Sequence, residues 1–337
     1  MTMSTNGESL FEAFLNKHDD AAWGEIIRKL LPSIHEVDKT ATQVWFHFYP
    51  LALLRALQQA EDPQALARKL SLQGNYYLKD QIDSSHEFVY GTRFWPQVKA
   101  ALSEYAASSS GPSSLDLATQ IRELAGNVAG RIKVDESLLV GITAIAFMTL
   151  QQTGAAQFKA SPGAARNLPS KSPDQIVKQR QRDNSQGVFG FLKGVNKTYD
   201  ISFDENDSNA KFKLISSQHI TTAAANDKRD YNSRDARCVV GEGPIPIECR
   251  SAACGTCWVG VLGGAEKLSE VAALEWRRIK EFGYIYTDEP KPIIRLACQA
   301  QAYGAVSIVI PPWNGVFGRY LQGHKSVFEE AEVESER

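Results

Sequence analysis

At 337 residues the chain is long enough for two domains, because single hydrophobic cores stop growing below that size. Charged residues make up 23% of it and the formal net charge is -2, which excludes a global field that would steer it to nucleic acid or to an acidic membrane surface. The opening "MTMSTNGESLFEAF" lacks a basic segment followed by an apolar core, so it does not read as a secretory signal, and a cytoplasmic location is expected.

Residues 9–154 read as an all-α domain. "AAWGEIIRKLLPSI" and "DLATQIRELAGNVAGRI" space their apolar residues three and four apart, and "DPQALARKL" begins with an Asp cap and Pro at the first helical position. In "VWFHFYPLALLRALQQA", Pro50 must open a helix or kink one. The longest apolar run, Leu138 to Leu150, falls short of the roughly 18 residues that a membrane span needs and is expected as a buried helix, so no transmembrane segment is predicted. His47 and His86 sit among aromatics and could ligate haem, but both read as core or surface side chains. The domain is expected to bind protein and to carry no cofactor.

Residues 155–193, rich in Ala, Ser, Pro and Gly and with basic residues in excess of acidic ones, read as a solvated linker. From residue 194 the period changes to alternation. "KTYDISFD", "AKFKLISS", "CWVGVLGG" and "AVSIVIPP" read as strands, "QHITTAAA" begins a helix, and "SEVAALEWRRIKEFGY" is a further helix. Residues 194–322 therefore form a small α+β domain, followed by an acidic tail at 323–337. No G-x-G-x-x-G between a strand and a helix and no Walker loop occurs, so no nucleotide site is expected.

All five cysteines lie beyond residue 237, and their odd number speaks against a disulfide framework and for reduced thiols that bind metal. Cys249, Cys254 and Cys257 form C-x4-C-x2-C, and Cys298 follows in "RLACQ". An iron–sulfur cluster needs thiolates, a backbone that can approach the sulfides, and N–H donors aimed at sulfur. Ser251, Ala252, Ala253, Gly255 and Thr256 keep the loop small, and Gly255 accepts a positive φ. Arg250 and Arg295, each near a thiol in sequence, are candidates to offset a cluster charge of about -2. The paired C-x2-C of a zinc ribbon and the C-x2-C-x2-C-x3-C-P of a 4Fe-4S ferredoxin are both absent.

"GPIPIECRSAACGTCWVGVLGG" with "IIRLACQAQAYGAVSIVIPP" resembles the plant-type 2Fe-2S ferredoxin domain over about residues 195–315. The resemblance implies a β-grasp fold and a 2Fe-2S cluster with Cys249 and Cys254 on one iron and Cys257 and Cys298 on the other. It also implies low-potential one-electron transfer, with the strand ending in "RLACQ" delivering the fourth ligand. Three features depart from the family: Ala252 stands where a glycine is usual, the interval from Cys257 to Cys298 is longer, and "NDKRDYNSRDARCVVGEG" intervenes before the ligand loop. Cys238, in that insertion, reads as an ordinary free thiol. The functional expectation is an electron-transfer protein, a subunit or dedicated carrier of a larger oxidoreductase, docked to its redox partner by the helical domain. A redox- or iron-responsive regulator, or an enzyme with a catalytic N-terminal domain fed by the cluster, are the alternatives.

Overall fold

The computed structural model describes residues 4–108, 115–166, 168–181, 197–282 and 292–317. Helices α1 (Ser4–Leu15), α2 (Asp20–Leu30), α3 (Glu36–Phe48), α4 (Leu51–Gln59), α5 (Pro63–Lys69), α6 (Trp95–Ser108), α7 (Leu117–Ile132), α8 (Ser137–Thr153), α9 (Ala155–Ala160) and α10 (Pro173–Gln181) come first in the chain. By packing, the chain divides into two units, residues 1–54 with 77–178, and residues 55–76 with 179–337. The segment 55–76, which falls inside the helical stretch read from sequence, groups with the second unit.

The first unit is built around α8, whose side chains are buried without a break from Leu139 to Leu150. An apolar run with no polar face has to be enclosed on all sides, and α3, α6 and α7 pack around it. α7 offers one face, Leu117, Ile121, Leu124 and Val128, after an Asp116 cap that accepts the Thr119 N–H at 2.8 Å. Pro50 opens a helix and does not kink one: α3 ends before it and α4 starts after it. The Asp20 carboxylate takes the free N–H groups of Leu51 and Ala52 at 2.7 and 2.8 Å. No helix among the described residues is long and apolar enough to cross a membrane.

The expected linker differs from a solvated tether over its described part. α9 buries Phe158, α10 buries Ile176, and Gly163 N–H donates to Asp83 at 2.9 Å. Lys99 Nζ also donates to Ser161 O at 2.8 Å. A single large apolar side chain per short helix gives too little periodicity for the sequence to signal burial. Residues 182–193 of that linker and the acidic tail at 323–337 lie outside the described residues.

The second unit contains strands β1 (Gln73–Gly74), β2 (Thr198–Ser202), β3 (Lys211–Ile215), β4 (Gln218–His219), β5 (Trp258–Gly263), β6 (Ile294–Leu296), β7 (Gln301–Ala302), β8 (Val306–Val309) and β9 (Trp313–Asn314). Helices α11 (Ile220–Ala224) and α12 (Ala273–Phe282) complete it. Five strands form one sheet in the order β3-β2-β8-β5-β6, with β2 and β8 parallel and the other neighbours antiparallel. This is the β-grasp arrangement, the first and last long strands side by side at the centre. β3 alternates exposed and buried residues as an edge strand should, whereas β5 is buried along nearly its whole length. The segment 55–76 adds to this unit through backbone bonds: β1 pairs with β9, Asn75 N–H donates to Pro312 O at 2.8 Å, and Val316 N–H donates to Leu70 O at 2.7 Å.

Two tests follow from these units. Both His47 and His86 are buried in the first unit. Burial pushes His47 down to about 4, and burial, partly opposed by Asp83, pushes His86 down to about 3. A histidine depressed in the folded state binds its proton more readily when unfolded. The stability it contributes is therefore complete above its ordinary value near 6.5 and is lost as pH falls towards 4 and 3. The loss should reach about 2 kcal/mol for each ring by pH 5, read as a falling urea midpoint of the helical signal that His47→Gln reduces. A fragment beginning at residue 194 lacks segment 55–76. It should unfold at lower urea than the full chain when followed by visible absorbance, by a few kcal/mol at about 1 kcal/mol per lost backbone bond. Equal midpoints would show the segment to be dispensable.

Candidate iron–sulfur site

The loop from Cys249 to Cys257 runs directly into β5, and Cys298 follows β6 at the edge of the same sheet. The turn is fixed by Ala297 N–H, which donates to Cys257 O at 2.9 Å, and by Thr221 N–H at the start of α11, which donates to Ala297 O at 3.2 Å. Upstream, the insertion folds back against α11. At Gly243 (φ +84) a Cβ would lie 2.1 Å from Ala224 O, so only glycine fits.

Within the loop Arg250, Ala252 and Gly255 all have positive φ, at 54°, 59° and 73°. Non-glycine residues resist this conformation by about 1–2 kcal/mol each, and here it turns successive N–H groups toward sulfur. Ser251 and Ala253 N–H donate to Cys249 Sγ at 3.5 and 3.2 Å. Thr256 Oγ1, at the end of the loop, donates to Glu248 at 3.3 Å. The alanine that departs from the family glycine thus adopts the conformation a glycine would favour.

The thiols interact as two pairs, Cys249 with Cys254 and Cys257 with Cys298. Among the described residues no three His, Cys, Asp or Glu side chains converge as a single-ion site would require. Two thiolates to each of two irons is the demand of a binuclear cluster. Cys249 and Cys254 are partly exposed, whereas Cys257 and Cys298 are buried. Burial pushes Cys249 up, but the N–H groups of Ser251 and Ala253 and the Cys254 thiol outweigh it and bring it down to about 7. The Cys257 hydrogen bond brings Cys298 down to about 6 against burial, helped by Gln299 and the Ala252 N–H. Burial raises Cys254, and donation to Cys298 together with burial holds Cys257 well above the usual thiol range. Iron takes the thiols as thiolates, so its binding would release their protons. Small residues, inward N–H groups and readily formed thiolates fit a 2Fe-2S cluster.

The two arginines do not bring free charge to the thiols. Arg250 is paired with Glu242, and the buried Arg295 is held by the Glu275 carboxylate through Nε at 2.9 Å and Nη2 at 3.0 Å. Proximity in sequence suggested charge compensation, but a buried guanidinium needs its own counterion. Ser251, Ala253, Gly255 and Thr256 lie in the loop, and two of them, Ser251 and Ala253, present N–H groups to sulfur. Gln299, whose Nε2 is 3.5 Å from Cys298 Sγ, is a site contact outside the residues expected from the sequence. Gln299 stands beside the cysteine in "RLACQ", the one signal that pointed to it. Cys238 is buried, donates to Pro244 O at 3.3 Å, and is pushed up to about 11, chiefly by burial.

Residues 225–303 match the sequence model of the 2Fe-2S iron-sulfur cluster binding domain. The matched span holds the insertion, the ligand loop, β5, α12 and the turn after β6, while the β2–β3 hairpin, α11 and β8 flank it. The C-terminal part of the chain thus carries a ferredoxin-type domain, which binds a 2Fe-2S cluster and supports electron transfer. No solved structure matches the chain.

Alkylation of the cluster-free protein at pH 7.5 checks the thiol assignments. Cys249, depressed and partly exposed, should react first, roughly tenfold or more faster than Cys238, which is buried and mostly protonated at that pH. Peptide mapping that found Cys238 labelled ahead of Cys249 would contradict this electrostatic picture.

Proposed function

We propose that the chain is a one-electron carrier, working as a subunit or dedicated donor of a larger oxidoreductase, whose cluster is held by Cys249, Cys254, Cys257 and Cys298. The observation that carries this reading is the pairing of the four thiols beneath a loop whose N–H groups turn toward sulfur. When bound, the cluster supplies a reversible one-electron couple. The chain's own groups do the rest: the thiols would hold the irons, and the N–H donors of Ser251 and Ala253 offset negative charge on sulfur. The partly exposed pair, Cys249 and Cys254, gives a partner's redox centre its nearest approach.

From Gly194 to Arg337 there are 17 basic and 20 acidic residues, so long-range charge contributes little to docking. The helical unit offers the additional area that specific association needs, and we assign it that role. The five free cysteines suit a reducing cytoplasm.

A redox titration of the full chain tests the carrier. Because Arg250 and Arg295 are already paired with Glu242 and Glu275, they should not raise the potential, which is expected near about -400 mV with one electron transferred. Cys254→Ser or Cys298→Ser should bleach the protein, and Cys238→Ser should leave iron content unchanged. A two-electron event, no reduction by dithionite, or loss of iron in Cys238→Ser would overturn the assignment.

A further inference from the structure

Three of the four thiols come from one loop, which orders itself through its own N–H groups. The fourth follows β6, a three-residue strand at the edge of the sheet that pairs, among the described residues, with β5. An edge strand leaves half its backbone groups without a sheet partner. Here Leu296 N–H, two residues before Cys298, is taken by Glu275 Oε1 at 2.9 Å. Glu275 lies on α12, the helix that lengthens the interval between Cys257 and Cys298. Its carboxylate also receives both arms of Arg295, and the two side chains are 1% and 0% exposed.

The same network reaches past the thiol. Arg295 Nη1 donates to Ser269 O at 2.7 Å, Ser269 N–H donates to Gln301 O at 2.9 Å, and Gln301 N–H donates to Ser269 Oγ at 3.2 Å. Cys298 is thus bracketed, at Leu296 on one side and at Gln301 on the other, by a single set of bonds that starts from the buried Glu275. We propose that the Glu275–Arg295 pair is a positioning element for the fourth thiol, through which α12 sets where Cys298 stands relative to the ligand loop. This rests on the reading of Cys298 as a cluster ligand.

A buried ion pair contributes little net stability and is often replaced by apolar residues without loss, which allows positioning to be separated from stability. The experiment uses the full chain carrying Glu275→Gln, the double variant Glu275→Leu with Arg295→Leu, and Cys298→Ser. It measures iron loss to a chelator, the electron paramagnetic resonance of the reduced cluster, the midpoint potential, and hydrogen exchange of Leu296 in the cluster-free protein. Glu275→Gln should lose iron about tenfold faster or more, with altered resonance and potential and with faster exchange at Leu296. The double variant should regain thermal stability yet keep the fast iron loss and the altered resonance. If Glu275→Gln does not fold, Arg295→Lys, which keeps the charge and removes the forked pairing, should give the same signature.

Wild-type iron loss, resonance and potential in the double variant would reduce the pair to an element of stability and overturn the proposal. A wild-type resonance in Cys298→Ser would remove the ligand reading itself, and the positioning role with it. An altered resonance in Cys298→Ser beside an unaltered one in both Glu275 variants would refute the positioning role alone.

Discussion

Backbone N–H groups must face sulfur if thiolates are to sit together around an anionic cluster, and the rest of the second unit is arranged around that requirement. In the stretch from Cys249 to Cys257 it is met by positive φ at Arg250, Ala252 and Gly255. Two of those three residues are not glycine, so the turn holds strain that the surroundings must support. The support is visible on each side: the buried β5 follows the loop, and Gly243 lets the insertion close on α11 in front of it. Cys298 then meets the end of that loop through the Ala297 N–H, which donates to Cys257 O at 2.9 Å.

Charge is handled locally throughout the unit. Arg250 with Glu242, Arg295 with Glu275, and Arg180 with Glu205, which also accepts from Ser307 Oγ at 2.6 Å, are all paired side chains. What lowers Cys249 and Cys298 is therefore a set of fixed short-range donors and not a net positive field. Such donors are insensitive to salt, unlike exposed charges.

The site was legible in the sequence because metal ligation fixes residue type and spacing together. Cys249, Cys254, Cys257 and "RLACQ" pointed to the loop and to the strand that brings the fourth thiol, and alternation located β2, β3, β5 and β8. The apolar run at α8 was equally plain, since only a buried helix accommodates it. What stayed hidden involves contacts that leave no period. β1 is two residues long and joins the second unit through backbone atoms, so nothing in residues 55–76 marks them as part of it. Glu275 lies 20 positions from Arg295, and no local pattern links the two. The helices in the expected linker each bury one large side chain, which composition averages away.

The ligand set and its division into two pairs are tested most directly by Mössbauer spectroscopy of the full chain loaded with iron-57. Oxidised protein should show two tetrahedral, sulfur-ligated ferric sites, coupled to a diamagnetic ground state. One-electron reduction should convert one of them to a localised ferrous site while the other stays ferric. Iron with nitrogen or oxygen ligands, a single isolated iron, or the absence of iron would contradict a cluster held by Cys249, Cys254, Cys257 and Cys298.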